Sequence, residues 1–476
     1  MISKLYNFSN VYRYKMLNHI RHYAKSRNQR NPFEKTIKIL SNDIPTILGK
    51  KKEPEVTYPE HADIVIIGGG FIGSAVAYWL KTRAGIGLSV VVLEKDFTVS
   101  AQKNVLLGSL TQHFSLPENI HLAQYAGEFL RNVKEHLKGN VDIKFCPTGS
   151  IVLASEKYAE ILEKNVIVQN ELGTKTTLLT ANDINEKYPW INTNDVKLGS
   201  MTVESEGTFN SWALLKGLIE KSKELDVNYV NAEVIGFQME KQRDVLMEGI
   251  APGSYERINR IIYRTNDNEE YAIKFAIGVL ATGDSSGEIA KLAKIGTGEG
   301  ILQIALPIER RDYQVYSVEE KAVETGLATP LVTDTTGLWL MRNGLENNLL
   351  CGNLPLIWDD RKTMTENDYF KTVIEPSLKN RVPSFENAKI SLSGIFSSEM
   401  YDCNTFDNTG IMGPHPYHNN MFIASGFGKL GCQHALGIGR AVAELIIDSQ
   451  FTTIDLTRFG FDRLIINDPL VEFNVY

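Results

Sequence analysis

The chain is 476 residues long, 43% hydrophobic, 9% aromatic and 22% charged, with 50 Lys+Arg against 57 Asp+Glu and four cysteines. That length allows about two or three domains and a large core, and the balance excludes collagen-like, disulfide-scaffold and wholly disordered chains. A net charge of −7 argues against nucleic acid as the main partner.

Residues 1–40 hold nine Lys/Arg and one acid, Glu34, a local charge of +8 that leaves −15 for the rest. Leu5, Phe8, Tyr12, Met16, Ile20 and Tyr23 recur at steps of three or four, one face of a helix. A basic, amphipathic, acid-poor leader has the profile of a mitochondrial presequence, and Arg21-His22-Tyr23-Ala24 resembles matrix-protein processing sites. A basic surface tail is the alternative. Residues 41–60 read as a linker, with Pro45, Pro54 and Pro59 around Lys50-Lys51-Lys52-Glu53, so the fold is expected to begin near His61.

Asp63-Ile64-Val65-Ile66-Ile67 is a short β-branched run of the kind that forms a buried parallel strand. It leads directly into Gly68-Gly69-Gly70-Phe71-Ile72-Gly73, a GxGxxG, then into the helical Ala75–Leu80 and a second strand, Ser89–Leu93, closed by Glu94-Lys95. Gly68 suits the tight turn, Gly70 lets a pyrophosphate approach the helix N-terminus, and Gly73 lets the helix pack on the sheet. Glu94 is placed for ribose hydroxyls. The glycines alone are a weak signal; strand, turn, helix, strand and acid in one unit point to a dinucleotide. Phe275–Leu280 running into Ala281-Thr282-Gly283, and Met421–Ala424 running into Ser425-Gly426-Phe427-Gly428-Lys429-Leu430-Gly431, repeat the strand-to-glycine junction. Helix Ile438–Ile447 is expected after the last. Three such junctions favour FAD over NAD. No run of about 18 apolar residues, no HExxH, no CxxC or Cys/His cluster and no GxSxG occurs, so a spanning helix, a metal site and a serine nucleophile have no support.

On these motifs residues 62–450 resemble the D-amino-acid oxidase/sarcosine oxidase superfamily. The resemblance implies an α/β fold: a Rossmann-like FAD-binding domain of the glutathione-reductase type with an inserted antiparallel-sheet substrate-type domain. It implies 61–145, 203–300 and 393–450 in the first domain, 146–202 and 301–392 in the second, and 451–476 as a C-terminal tail. It also implies that Val234, at the end of Tyr229–Val234, holds adenine through its backbone. Phe114–Ile120, Asn404–Asp407, Gly413–Pro416, Gly437–Glu444 and Thr453–Leu456 are similar to a mitochondrial branch of the family that serves assembly of respiratory complex I. That similarity implies complex I subunits or assembly intermediates as partners, a matrix location, and peripheral association with the inner membrane.

The amine-oxidising relatives pass a hydride from the carbon beside an amine to the flavin, and grip the substrate carboxylate with cations. The positions that match those cations are neutral here: Ser109, Gln112 and Gln433. The oxygen-activating lysine falls at Leu350 and the flavin-linking cysteine at Glu399, which implies non-covalent FAD. The loop Ser100–Leu106 is bulkier than in the relatives, and Lys429-Leu430 replaces a small residue and a histidine. Tyr401 matches a tyrosine that borders the substrate, or is a core aromatic. His113 faces the flavin, or is a hydrogen-bonded structural histidine; Arg342 reaches an anion, or sits on a solvated edge. Three readings stay open: an assembly factor with weak or lost activity, a working matrix dehydrogenase of an N-methyl amino acid or similar small amine, and an interaction platform that binds no flavin.

Overall fold

A computed structural model describes residues 58–476 apart from 98–106, 138, 140, 204, 248–249, 320–324, 344–347, 354–365, 386–391, 474 and 476. The basic leader, most of the linker and the loop Ser100–Leu106 lie outside the described residues.

Strand β1 (His61–Ile67) passes through the glycines into helix α1 (Phe71–Ala84), and β2 (Val90–Glu94) returns parallel to it. Then come β3 (Leu107–Leu110), helix α2 (Pro117–Arg131), β4 (Ser150–Ala154), helix α3 (Ala159–Glu171), β5 (Thr177–Thr180), β6 (Leu198–Thr202), β7 (Gly207–Asn210) and helix α4 (Ser211–Glu224). Three long strands follow: β8 (Val227–Lys241), β9 (Glu256–Thr265) and β10 (Glu270–Leu280). The remainder holds β11 (Ile308–Glu319), β12 (Leu331–Thr333), β13 (Leu338–Arg342), β14 (Asn348–Asn353), β15 (Leu392–Asn404), β16 (Ile411–Pro414), β17 (Met421–Ser425) and helix α5 (Gly431–Asp448). Helix α5 begins seven residues before the expected start, because Gly431 follows directly on the last glycine turn.

Two large sheets result. The first is seven-stranded, in the order β1-β2-β8-β9-β10-β17-β16, with β1 also paired to β10. Here β17, β10, β1, β2 and the start of β8 run parallel, so their carboxyl ends share one edge, where ligands bind in open α/β sheets. The second is eight-stranded, β15-β11-β14-β13-β12-β4-β6-β5, and antiparallel except where β4 meets β12. This is the expected α/β class with a second, mainly antiparallel sheet. One boundary needs correction. Residues 393–404 belong with the second sheet, because β15 pairs with β11 from Leu392 to Asn404.

The core follows from the patterning. Ile64, Val65, Ile66 and Ile67 are all within 2% of full burial, as a central parallel strand covered on both faces requires. At about 2 kcal/mol per buried aliphatic side chain, this run is a major anchor of the sheet. Helix α5 packs closely on both α1 and α2, since a Cβ on Gly439 would lie 2.6 Å from the Ala75 carbonyl carbon of α1 and one on Gly437 2.6 Å from Leu122 of α2. Trp79 closes the crossing: its indole N–H donates to the Leu436 carbonyl at 3.0 Å, and the Arg440 guanidinium stacks 4.8 Å above the ring. The segment after α5 does not trail. Ile454, Leu456, Phe459 and Leu470 are buried in the same cluster as α1 and α5.

Candidate functional site

At the end of β1, Gly68 has φ +102°, and a Cβ there would meet the Ala281 carbonyl oxygen at 2.2 Å. Only glycine fits. A Cβ on Gly73 would lie 1.9 Å from the Gly68 carbonyl oxygen, so that glycine seats the helix on the strand. Gly70 differs. It is the N-cap of α1, no side chain caps the helix, and a Cβ there would meet nothing within 4 Å. Among the described residues nothing fills the space beside Gly70, at the positive end of a 14-residue helix, the arrangement that receives a diphosphate. Glu94 is fixed beside it: one carboxylate oxygen accepts the Gly69 N–H at 2.7 Å and the other the Asp96 N–H at 3.0 Å. These residues fit a dinucleotide.

The other sequence candidates surround this point in two groups. Ala281 donates its N–H to the Ile67 carbonyl at 2.8 Å, which ties the second glycine junction to the first. Thr282 Oγ1 lies 3.0 Å from Ser286 Oγ, itself 2.7 Å from Ser425 Oγ, and Gly283 takes φ +57°. At the third junction Gly426 and Gly428 have φ +82° and +57°, and Gly431 opens α5. Phe427 turns its ring into the core, against Gly410 and 6.0 Å from Phe459, so its side chain is structural. Ile72 likewise packs on the core, while Phe71, its neighbour, lines a cavity between the two sheets. Val234 is buried in β8 opposite Tyr263, three residues beyond the Asn231 that pairs with Glu94. Lys95 points outward and pairs with Glu233 at 2.6 Å.

A cavity of about 490 Å³ separates the two sheets. Phe71, Cys432 and Leu430 line it from the dinucleotide side, and Val152, Leu331, Trp339 and Met341 from the second sheet. Lys429 is the one Lys or Arg among its described lining residues, and its Nζ lies 3.4 Å from the Asn353 carbonyl oxygen. The positions that resemblance assigned to carboxylate cations carry neutral side chains, two of them, Ser109 and Gln433, at the cavity. Gln433 is fastened to Thr111, accepting its N–H at 3.1 Å and donating to its carbonyl at 2.8 Å. The Gln112 N–H donates to Glu206. Ser109 lines the cavity with a neutral hydroxyl.

Tyr401 packs against the cluster of Val315, Leu331, Trp339, Met341 and Leu350, three of which (Leu331, Trp339 and Met341) line the cavity. Leu350 is fully buried in that cluster. Arg342 alternates onto the face opposite Trp339 and Met341, since successive strand residues point to opposite sides, which removes it as an anion contact in the cavity. His113 does line the cavity and is also a hydrogen-bonded histidine: Nδ1 lies 3.0 Å from Ser200 Oγ and Nε2 3.6 Å from a Glu206 carboxylate oxygen.

Two buried acids were invisible in the sequence. Glu206 accepts the Gln112 N–H at 2.9 Å and a short hydrogen bond from Ser150, a cavity residue. Burial pushes its carboxyl up, while His113 and these hydrogen bonds pull it back. Asp402 holds the third glycine turn by accepting the Gly426 and Gly428 N–H groups, and burial raises its pKa to about 6. Their partners are 94 and 24 residues away, beyond the reach of any local pattern. Among the described residues no cluster of metal ligands occurs, and no helix is long and apolar enough to cross a membrane.

Comparison with known proteins places this geometry. A family model described as FAD dependent oxidoreductase (DAO) matches residues 63–445. The chain is 37% identical to a Drosophila melanogaster protein named FAD-dependent oxidoreductase domain-containing protein 1 homolog, over 94% of this chain and 93% of that one. It is 23% identical to Homo sapiens mitochondrial dimethylglycine dehydrogenase, over 87% of this chain and 46% of that protein. Among solved structures, L-proline dehydrogenase from P. horikoshii superposes with a TM-score of 0.69 at 22% identity, covering 87% of this chain and all of that one.

Proposed function

The chain belongs to the DAO family of FAD-dependent oxidoreductases, and from that premise we propose that it is a mitochondrial matrix flavoprotein that serves assembly of respiratory complex I, with weak or no amine turnover. The observation that carries the reading is a contrast. No described residue fills the space at Gly70 where a diphosphate would rest, while no described arginine lines the cavity beside it and the one lysine described there touches a backbone carbonyl. The stretches quoted between Phe114 and Leu456, by their resemblance to the branch that serves complex I assembly, support the assembly role. Complex I subunits or assembly intermediates are then the partners, met peripherally at the inner membrane.

When bound, FAD supplies two-electron chemistry that no side chain here provides. The chain's own residues hold it. The amides opening α1 take the diphosphate, Glu94 the ribose and the Val234 backbone the adenine, and Asp402 keeps the Gly426–Gly428 turn in shape. Attachment is non-covalent, because Glu399 stands where the linking cysteine falls in the sarcosine-oxidising relatives.

A working dehydrogenase of an N-methyl amino acid is the second reading, favoured by the similarity to dimethylglycine dehydrogenase. At about 1.5–3 kcal/mol per charge-assisted hydrogen bond, two missing cations weaken carboxylate capture by roughly 10²–10⁴-fold. The deciding experiment mixes purified protein anaerobically with sarcosine, dimethylglycine and D-amino acids and follows flavin absorbance near about 450 nm. Yellow protein that stays yellow, with complex I lost when the gene is deleted, fits the first reading. Stoichiometric bleaching establishes the second, and normal complex I in the deletion removes the assembly role.

A further inference from the structure

Residues 470–473 and 475 return across the molecule to the cavity between the two sheets. Leu470 is fastened first: its N–H donates to Asp407 Oδ2 at 3.0 Å and its carbonyl accepts Thr409 Oγ1 at 2.7 Å. Glu472 is the main anchor. Its carboxylate accepts the Ser115 N–H at 2.7 Å, Ser115 Oγ at 2.5 Å, Asn119 Nδ2 at 2.8 Å and the Leu116 N–H at 3.3 Å, at the start of α2. No side chain of the N-cap residue, Leu116, serves that helix end, so a residue about 355 positions later does so. Phe473 then bonds both ways, donating its N–H to Ser115 Oγ at 2.9 Å and accepting from Asn165 Nδ2 of α3 at 2.9 Å. Val475 is 3% exposed and packs with Val152, Ala154 and Leu162.

Val471, Glu472, Phe473 and Val475 all line the cavity. We propose that residues 470–473 and 475 form a working wall of the ligand cavity, with Glu472 as the positioning residue that holds it in place. Val475 gives the wall its buried apolar face, and Val471 and Phe473, 47% and 63% exposed, form its rim, where the apolar end of a ligand would meet it. Neither the cofactor cradle nor the complex I reading is needed for this: the wall is built from hydrogen bonds and packing on the far side of the cavity.

Cys432 lines the same cavity and reports on the wall without any assay of turnover, whereas Cys351 and Cys403 are buried and Cys146 is half-exposed. In a Cys146→Ala background of the FAD-loaded full chain, Cys432 is alkylated with small iodoacetamide and, separately, with a bulky N-substituted maleimide. Glu472→Ala and deletion of residues 470–476 are expected to raise the bulky-reagent rate about tenfold and the iodoacetamide rate far less, with Glu472→Gln in between. Cys351 and Cys403 should stay unmodified in every variant. An unchanged ratio of bulky to small rates in Glu472→Ala overturns the proposal. So does parallel modification of Cys351 and Cys403, which would mark general loosening. Should the deletion variant fail to fold, Glu472→Ala decides alone.

Discussion

The first glycine turn and the cavity next to it follow opposite rules. At the turn, Gly68 and Gly73 are enclosed by backbone atoms about 2 Å from any added Cβ, and Gly70 opens on space. The cavity is assembled from segments as far apart as Phe71 and Val475, and its polar positions are spent on internal hydrogen bonds such as Gln433 to Thr111. One region preserves a binding geometry that tolerates almost no substitution. The other is lined, among the described residues, by neutral side chains at Ser109 and Gln433 and by a single lysine, Lys429.

The strongest attack on this contrast is Gly73→Val. A side chain 1.9 Å from a carbonyl oxygen forces helix and strand apart, and a loss of about 3 kcal/mol or more, with no FAD in the purified protein, is expected in thermal melts. Gly70→Ala is the sharper companion. Its Cβ clashes with nothing, so melting without cofactor should move by less than about 0.5 kcal/mol while FAD affinity falls.

Next in size is the pH dependence from Asp402. Its folded pKa of about 6 exceeds the usual 3.8, so the native state binds the extra proton between those values. Its contribution is fully present below about pH 4, declines as pH rises through about 6, and is flat above, a swing of about 3 kcal/mol at most. Asp402→Asn should flatten that part of a stability–pH profile.

Glu94→Ala should weaken FAD by about 10–100-fold in a fluorescence titration, since a carboxylate oriented by the Gly69 and Asp96 amides is lost. Lys95→Ala should do least. Its partner Glu233 is exposed and such pairs are worth under about 1 kcal/mol, so an FAD effect beyond threefold would show that Lys95 leaves Glu233 for the cofactor.

What the sequence made legible was what the chain does over short distances. Strand β1, the glycines, α1, β2 and Glu94 fall within 34 residues, and each residue type has one physical job there. The α/β class and the second, mainly antiparallel sheet followed from the family resemblance. Hidden were contacts made across the fold. Ser150 and Glu206 meet 56 residues apart, Glu472 and Ser115 357 apart, and β15 joins β11 by pairing that no local pattern encodes. Phe427 was legible as part of a glycine turn, but not as a core residue, because its pocket is made by Gly410 and Phe459.

Trp339 stands in the cavity wall on β13, opposite the side from which Phe71 looks in. Indole emission overlaps flavin absorption, so Trp339 would be a donor for energy transfer to a flavin bound in this cavity. Because it is one of five tryptophans, the part of the FAD-dependent quenching that Trp339→Phe removes is what would report a flavin beside β13.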